Sequence, residues 1–277
     1  MKNILVLGGT GKTGRRIARR LRAAGRPVRT ASRTGGDIRF DLGDPATWAL
    51  ALDGVTAAYL LEPSSLDPNV DRQARIPAFV TKAVAAGVRR LVLLSSPGAD
   101  YDGHPLKPVE QAVRRAGAEW TILRPGWFAQ NFSEDFWLPG ILDGTLALPA
   151  GDGGTAFIDA EDIAEVAASA LTDDRHSGEV YALTGPRAVG FGEVADLIGT
   201  ATGRTIRYVD IAAEIYIERQ IAEGVPPDAA RMVAGLFTSI RDGRGAALSD
   251  GVERALGRPP RPFEDYVAEA AAAGHWN

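Results

Sequence analysis

The sequence predicts an α/β fold: a doubly wound parallel sheet followed by a smaller, mostly helical C-terminal lobe. Short apolar runs alternate with helical stretches over the first 125 residues, as βαβ units require. A glycine-rich loop joins the first apolar run to the first helix, and the regular alternation stops after Pro125. Ile4–Leu7 is continuously apolar, the pattern of a strand buried on both faces. Thr13–Ala24 carries Ile17, Leu21 and Ala24 at helical spacing, with Gly25 where a helix end takes glycine. Val28–Ala31 and Ile38–Phe40 read as the second and third strands, and Ala57–Leu61 as the fourth. A helix over Val70–Ala86 closes on Gly87, and Arg90–Ser95 is the fifth strand. A helix over about 106–116 ends at Gly117 before the sixth strand, Trp120–Leu123. Glu161–Leu171 reads as a helix with Asp159 as its N-cap, and Val180–Thr184 as a late strand of the main sheet. Beyond Gly185 come three or four helices and a short strand at Ile206–Val209. Residues 1–126, completed by about 155–185, form the sheet domain, and 127–154 with 186–277 form the lobe.

Composition narrows the classes of function. At 277 residues with 45% hydrophobic and 24% charged, the chain is an ordinary globular mixture. No apolar run approaches the roughly 18 residues that cross a bilayer, so no membrane association is expected. Met1-Lys2-Asn3-Ile4 enters a strand-like run directly, without the apolar core of a signal peptide, which points to the cytoplasm. The chain has no cysteine, and His104, His176 and His275 are too scattered for a zinc cluster. Residues 1–39 hold eleven lysines and arginines against one acid, Asp37, although the whole chain carries a net charge of −4. Most of these arginines read as a solvated helix face. Without a helix-turn-helix or other recognition motif, they do not make a nucleic-acid partner.

The loop is Gly8-Gly9-Thr10-Gly11-Lys12-Thr13-Gly14, and Gly9-x-Gly11-x-x-Gly14 has the spacing of a dinucleotide fingerprint. One glycine makes the tight turn, one admits a pyrophosphate, and one lets helix and strand close together, while the helix N-terminus meets the negative charge. A P-loop is excluded because four residues must separate its glycines, and Gly8 and Gly11 have two between them. The sheet is therefore of Rossmann type. An NAD enzyme places an acid at the end of the second strand, but here the chain reads Thr30-Ala31-Ser32-Arg33. Arg33 can clamp a 2′-phosphate and Ser32 can add a hydroxyl, so the expected cofactor is NADP(H). Lys12 or Arg15 adds positive charge at the loop. Asp41, Leu61, Ser95 and Pro125, at the ends of successive strands, complete the expected contacts with Gly8, Thr10, Gly11, Lys12, Thr13 and Gly14.

Further motifs lie downstream: Leu94-Ser95-Ser96, Trp120-Thr-Ile-Leu-Arg-Pro125-Gly-Trp-Phe-Ala-Gln-Asn131-Phe, Phe157-Ile-Asp159-Ala-Glu-Asp162-Ile-Ala, Leu183-Thr-Gly-Pro186 and the terminal Trp276. With the glycine loop and Arg33, they resemble the NmrA-like branch of the atypical short-chain dehydrogenases. Within it the likeness is greatest to the festuclavine dehydrogenase-like group and its bacterial relatives, and it runs from end to end. The resemblance implies an NADPH-dependent reductase or, as in some relatives, a redox-sensing regulator without turnover.

Typical short-chain dehydrogenases protonate a developing alkoxide from a Tyr-x-x-x-Lys pair beside a serine. This chain has no such pair, since Tyr101 and Lys107 are six apart. Ser95 or Ser96 takes the serine's place at the end of the fifth strand, and Tyr101, His104 and Lys107 lie in the loop that follows. Ser96, Tyr101 and Lys107 are the candidate catalytic residues. The missing donor suits an acceptor that needs none: hydride on a cyclic iminium or imine gives an amine, and a quinone or enone spreads its charge. Flat or cationic acceptors favour an aromatic wall. Trp127, Phe128, Phe132, Phe136 and Trp137 supply one, though their spacing also fits a plain core. Trp127, Phe128 and Asn131 are the candidate substrate contacts. The expected partner is a small molecule, and the expected assembly a monomer or homodimer.

Overall fold

Seven strands lie parallel in one sheet. The structure is a computed structural model that describes residues 3–63 and 71–277. In chain order it contains β1 (Asn3–Leu7), α1 (Lys12–Ala23), β2 (Val28–Ser32), β3 (Ile38–Arg39), α2 (Trp48–Leu52), β4 (Val55–Leu61), α3 (Arg72–Ala85), β5 (Arg90–Leu94), α4 (Lys107–Arg114) and β6 (Glu119–Pro125). After an excursion the chain returns as α5 (Ala160–Ala170), β7 (Glu179–Leu183) and, later, α6 (Gly251–Leu256). The sheet order is β3-β2-β1-β4-β5-β6-β7. The strand order reverses between β1 and β4, and in such sheets the carboxyl ends beside that reversal are where ligands bind. This is the Rossmann-type architecture that the element alternation predicts.

These elements form one compact unit, comprising the chain up to Gly126 together with Ala160–Leu183 and Asp250–Arg258. Its core is built from the apolar strand runs. Leu5, Leu60, Leu91 and Leu93 are fully buried, and Phe79 of α3 receives Phe40 and Trp48 edge-on at 5.2 and 5.3 Å. Each burial of this kind contributes about 1.5–3 kcal/mol, so the central strands anchor the sheet. Helix α1 ends where Gly25 adopts φ 68°, a left-handed conformation that closes the last turn.

Most element boundaries shift by one or two residues from the periodicity, and two of the shifts have a visible cause. Helix α3 starts at Arg72, because the Asp71 carboxylate accepts the N–H groups of Gln73 and Ala74. The expected start at Val70 lies outside the described residues. Strand β6 extends to Pro125, since Arg124 and Pro125 pair with Ala182 and Leu183 of β7.

The second unit holds Trp127–Asp159, Thr184–Ser249 and Pro259–Asn277. It contains helices Phe191–Thr202, Ala213–Ala222, Pro227–Arg241 and Phe263–Ala272. With α6, five α-helices follow Gly185, where the pattern predicts three or four. The extra division comes at Gly224-Val-Pro-Pro227, which separates two stretches of continuous amphipathic character. Two small two-stranded pairings complete this unit: Thr145–Leu148 runs parallel to Arg207–Asp210, and Gly154–Thr155 runs antiparallel to Val189–Gly190. Its core is aromatic. Phe132, Phe157, Phe191 and Phe237 are buried, and Trp276 donates its indole N–H to the Phe132 carbonyl at 2.8 Å.

Candidate functional site

The glycine loop is drawn tightly onto its neighbours. Gly8 turns the chain at φ 62° directly after β1. A Cβ at Gly9 would sit 2.4 Å from Thr30 Cβ, and one at Gly14 only 2.2 Å from the Gly8 carbonyl oxygen. Any side chain at these positions would push loop, β2 and α1 apart. Helix α1 opens at Gly11 with no side-chain cap and no acidic residue in its first turn. The first-turn backbone N–H groups and the positive dipole end of the helix thus face the same concavity. Thr10 and Gly11 are exposed and Lys12 is half-buried there. The Thr13 hydroxyl accepts from the buried Tyr59 hydroxyl at 2.9 Å, tying the helix to β4. Leu61, at the end of β4, packs against Gly8. This narrow, anion-ready cradle fits a dinucleotide pyrophosphate.

The arginine excess in the N-terminal segment is largely structural. Arg16, Arg19 and Arg20 of α1 converge on Glu161 of α5, and Arg20 also reaches Glu165 at 3.1 Å. Burial raises the Glu161 carboxyl, but the three guanidiniums outweigh it and hold the group below its usual range. Arg29 donates to the carbonyls of Leu50, Ala51 and Asp53. Asp37 accepts from the Thr30 N–H and hydroxyl, both at 2.8 Å, and from Arg22 at 2.7 Å. The Thr30 N–H is the main reason its carboxyl titrates low. The one acid near the end of β2 is therefore spent on the chain itself.

Arg33 and Arg39 differ from these arginines: both are exposed, and neither forms an ion pair or side-chain hydrogen bond among the described residues. Arg26, which lies before β2, is likewise exposed. Register pairing sets Arg39 beside Ser32, the residue before Arg33, at the carboxyl ends of β2 and β3. Arg39 was not singled out by sequence, where it reads as one more solvated arginine. The Ser32 hydroxyl lies 2.7 and 2.6 Å from the carbonyls of Thr34 and Gly35, so its hydrogen is directed into the turn that presents Arg33. Asp41 similarly shapes its own loop, its carboxylate accepting the Gly43 N–H at 2.9 Å.

At the carboxyl ends of β5 and β6 the two serines have different partners. Ser95 is buried and its hydroxyl donates to Glu110 at 2.6 Å. Glu110 also takes a two-point clamp from Arg124 of β6, at 2.9 and 2.7 Å. Burial raises the Glu110 carboxyl, but Arg124 and then Ser95 hold it below the usual range. Ser96 is half-buried, with Oγ 3.3 Å from Nε2 of His104. Tyr101 is 73% exposed, Lys107 pairs with Asp102, and no hydrogen bond joins Tyr101 to Lys107 among the described residues. Pro125 is buried at the end of β6. The sequence had one signal for the missed Glu110: an arginine inside an otherwise apolar strand, Ile122-Leu-Arg124-Pro, calls for a buried acid.

In the second unit, Trp127 stacks on Trp137 at 5.2 Å and on Phe237 at 6.1 Å. Phe128 bridges to Ile158, and Asn131 is buried at the start of the short helix Asn131–Glu134. Asp159 accepts from Gln130 at 2.7 Å and from Arg261 at 2.8 Å. A concavity of about 780 Å³ in the first unit, lined by Arg26, Pro27, Thr56, Arg89 and Glu119, lies at the amino ends of the strands. That is the wrong edge for cofactor chemistry in this fold.

A parallel sheet with a closed glycine loop at β1 and an uncapped helix start defines a dinucleotide-binding α/β protein of the short-chain dehydrogenase type. The chain belongs to the NmrA-like family, whose pattern matches residues 1–253. A (4-alkanoyl-5-oxo-2,5-dihydrofuran-3-yl)methyl phosphate reductase of Streptomyces griseus is 36% identical to it, over 98% of each chain. Festuclavine dehydrogenase of Aspergillus fumigatus is 32% identical over 97% of this chain and 98% of its own. The fold is shared with a Citrobacter triphenylmethane reductase in complex with NADP(H), at TM-score 0.76 and 21% identity over 97% and 99% of the two chains.

Proposed function

We propose that the protein is an NADPH-dependent reductase that delivers hydride to an electrophilic small molecule: a cyclic iminium or imine, a quinone or an enone. The class, an NADP(H)-dependent oxidoreductase, follows from family membership and from relatives named as reductases and dehydrogenases over nearly their whole length. One observation carries the cofactor reading. Beside the glycine cradle, Asp37 near β2 is bound to Thr30 and Arg22, while Arg33 is exposed and forms no ion pair or side-chain hydrogen bond among the described residues. An exposed guanidinium suits a 2′-phosphate, and Asp37, held by Thr30 and Arg22, does not stand as the ribose acceptor that an NADH enzyme keeps at the end of β2.

When bound, NADPH supplies the hydride with its electron pair from nicotinamide C4. The chain's own residues then act chiefly by positioning. Gly8, Thr10, Gly11, Lys12, Thr13 and Gly14 would hold the pyrophosphate, Arg33 with Arg39 the 2′-phosphate, and Asp41, Leu61, Ser95 and Pro125 the rest of the cleft. The Ser95–Glu110–Arg124 network fixes the β5 edge on which Ser96 stands. Trp127, Phe128 and Asn131 are the proposed acceptor contacts. The test is a spectrophotometric panel of quinones, enones and cyclic imines, read at the NADPH band. Oxidation with at least one class is expected. No oxidation with any class, while NADPH still binds, would overturn turnover in favour of a sensor.

A further inference from the structure

The concavity of about 780 Å³ at the amino ends of the strands has a charge pattern that the cofactor does not explain. Its walls carry three guanidiniums, from Arg26, Arg89 and Arg90, against two carboxylates, from Glu119 and Asp174. Arg90 holds both acids: Glu119 accepts from its Nε at 2.8 Å and its Nη2 at 2.6 Å, and Asp174 accepts from the same Nη2. Arg26 and Arg89 are exposed and form no ion pair among the described residues. Part of Arg89 serves the fold, since its Nη1 donates to the carbonyls of Val84 and Val88 at the C-terminal end of α3. Its Nε and Nη2 have no partner among the described residues, and Arg26 forms no side-chain hydrogen bond there. The ends of β1 and β4 lie between the two arginines, because the sheet runs β2-β1-β4-β5. Arg26 precedes β2 and Arg89 precedes β5, so three strand spacings, about 14 Å, separate their backbones. Thr56, whose carbonyl accepts the Arg89 N–H at 2.8 Å, stands in the gap, and its hydroxyl has no partner among the described residues.

We propose that this concavity is a second ligand site, for an elongated small molecule with two anionic ends, carboxylate or phosphate, lying across β1 and β4. One end pairs with Arg26. The other pairs with Arg89, whose Nε and Nη2 are the two parallel donors that a carboxylate or phosphate takes. Thr56 donates to the span between them. A single small anion satisfies one guanidinium across that gap and leaves the other in water. A cation meets walls with one more positive than negative group. The volume is that of a site for a small organic molecule. Because the concavity lies on the edge opposite to the glycine loop, its ligand and NADPH bind together without competing. The site stands on the lining residues alone and does not depend on the reductase reading.

The test is calorimetric titration of the NADPH-saturated full chain with inorganic phosphate, fructose 1,6-bisphosphate and pimelate. With the cradle filled by NADPH, heat from these probes reports a site elsewhere. One of the two-ended probes is expected to bind at least about tenfold more tightly than phosphate, because its second end engages intramolecularly. Whichever of the two binds more tightly identifies the end group, and either order supports the site. Arg26→Ala and Arg89→Ala should each weaken that probe about 10- to 100-fold, the loss of one charge-assisted pair, while NADPH affinity stays within about twofold of wild type. Arg231→Ala, at an exposed arginine of the second unit, should leave probe binding unchanged. No heat from either two-ended probe at about 1 mM overturns the proposal, as does phosphate binding as tightly as both. Affinity that survives both alanine variants also overturns it, since the anion then sits elsewhere. So does displacement of the probe by NADPH, which would place it in the cradle.

Discussion

Replacing Gly14 by Ala tests how much the glycine cradle depends on close approach. The new Cβ would lie 2.2 Å from the Gly8 carbonyl oxygen, 2.7 Å from its carbon and 3.0 Å from Gly9 Cα. All three are backbone atoms, so no side chain can swing aside. Ordinary contact lies near 3.5 Å, and the loop must retreat by about 1 Å. Gly9 blocks that retreat, since its own Cα faces Thr30 with no room for even a methyl group. Overpacking of this kind costs about 1–3 kcal/mol. The displaced amides are those offered to the pyrophosphate, so NADPH affinity should drop roughly 10- to 100-fold, a decade per 1.4 kcal/mol. Titration calorimetry measures the affinity and scanning calorimetry the stability. Gly235→Ala is the control: it lies in the exposed interior of the helix Pro227–Arg241 with nothing within 4 Å, and should stabilise by about 0.5–1 kcal/mol without touching affinity. A Gly14→Ala protein that binds NADPH within twofold of wild type, with an unchanged Tm, would refute the close-approach reasoning.

Three further outcomes are expected. Glu110→Gln leaves the Arg124 guanidinium with Asp100 as its remaining acid and should cost about 1–3 kcal/mol in a urea titration. Because the folded Glu110 carboxyl titrates below the ordinary value, its contribution is complete above about pH 4.3 and is lost as pH falls through the folded value; the variant's acid limb should be shallower. His176 is buried between Ser169 and Tyr181, and burial followed by the charge of Arg175 holds its pKa below 6.5. The unfolded chain therefore takes up this proton first, stability declines as pH drops below 6.5, and His176→Gln should flatten that slope in melts at several pH values. Tyr59→Phe removes the hydroxyl pair to Thr13 and should cost about 1 kcal/mol, measured by denaturant titration.

The parallel sheet was legible because strand stretches such as Ile4–Leu7 and Leu91–Leu93 are buried on both faces and so carry unbroken apolar runs. The glycine loop was legible because its chemistry is local. Partners distant in sequence were not. Nothing in α1 announces that Arg16, Arg19 and Arg20 meet Glu161, more than 140 residues away. Glu110 reads as a helix-surface acid until the crossover from β5 to β6 sets Ser95 and Arg124 around it. Val70 continued the apolar periodicity of α3, but Asp71 fixes the start because a carboxylate satisfies the first free N–H groups. The aromatic run after Pro125 was ambiguous for a physical reason: Trp127 is half-buried and stacks on Trp137 and Phe237, so one ring can serve a core and a wall together.

Cofactor selectivity at the end of β2 is most directly measured by calorimetric titration of wild-type and Arg33→Ala protein with NADPH and NADH. Charge-assisted hydrogen bonds to the 2′-phosphate are worth about 1.5–3 kcal/mol. Wild type should therefore prefer NADPH, and Arg33→Ala should weaken NADPH about 10- to 100-fold while NADH binding stays within twofold. Equal affinity of wild type for the two nucleotides, or an equal loss for both in the variant, would contradict a guanidinium that reads the phosphate.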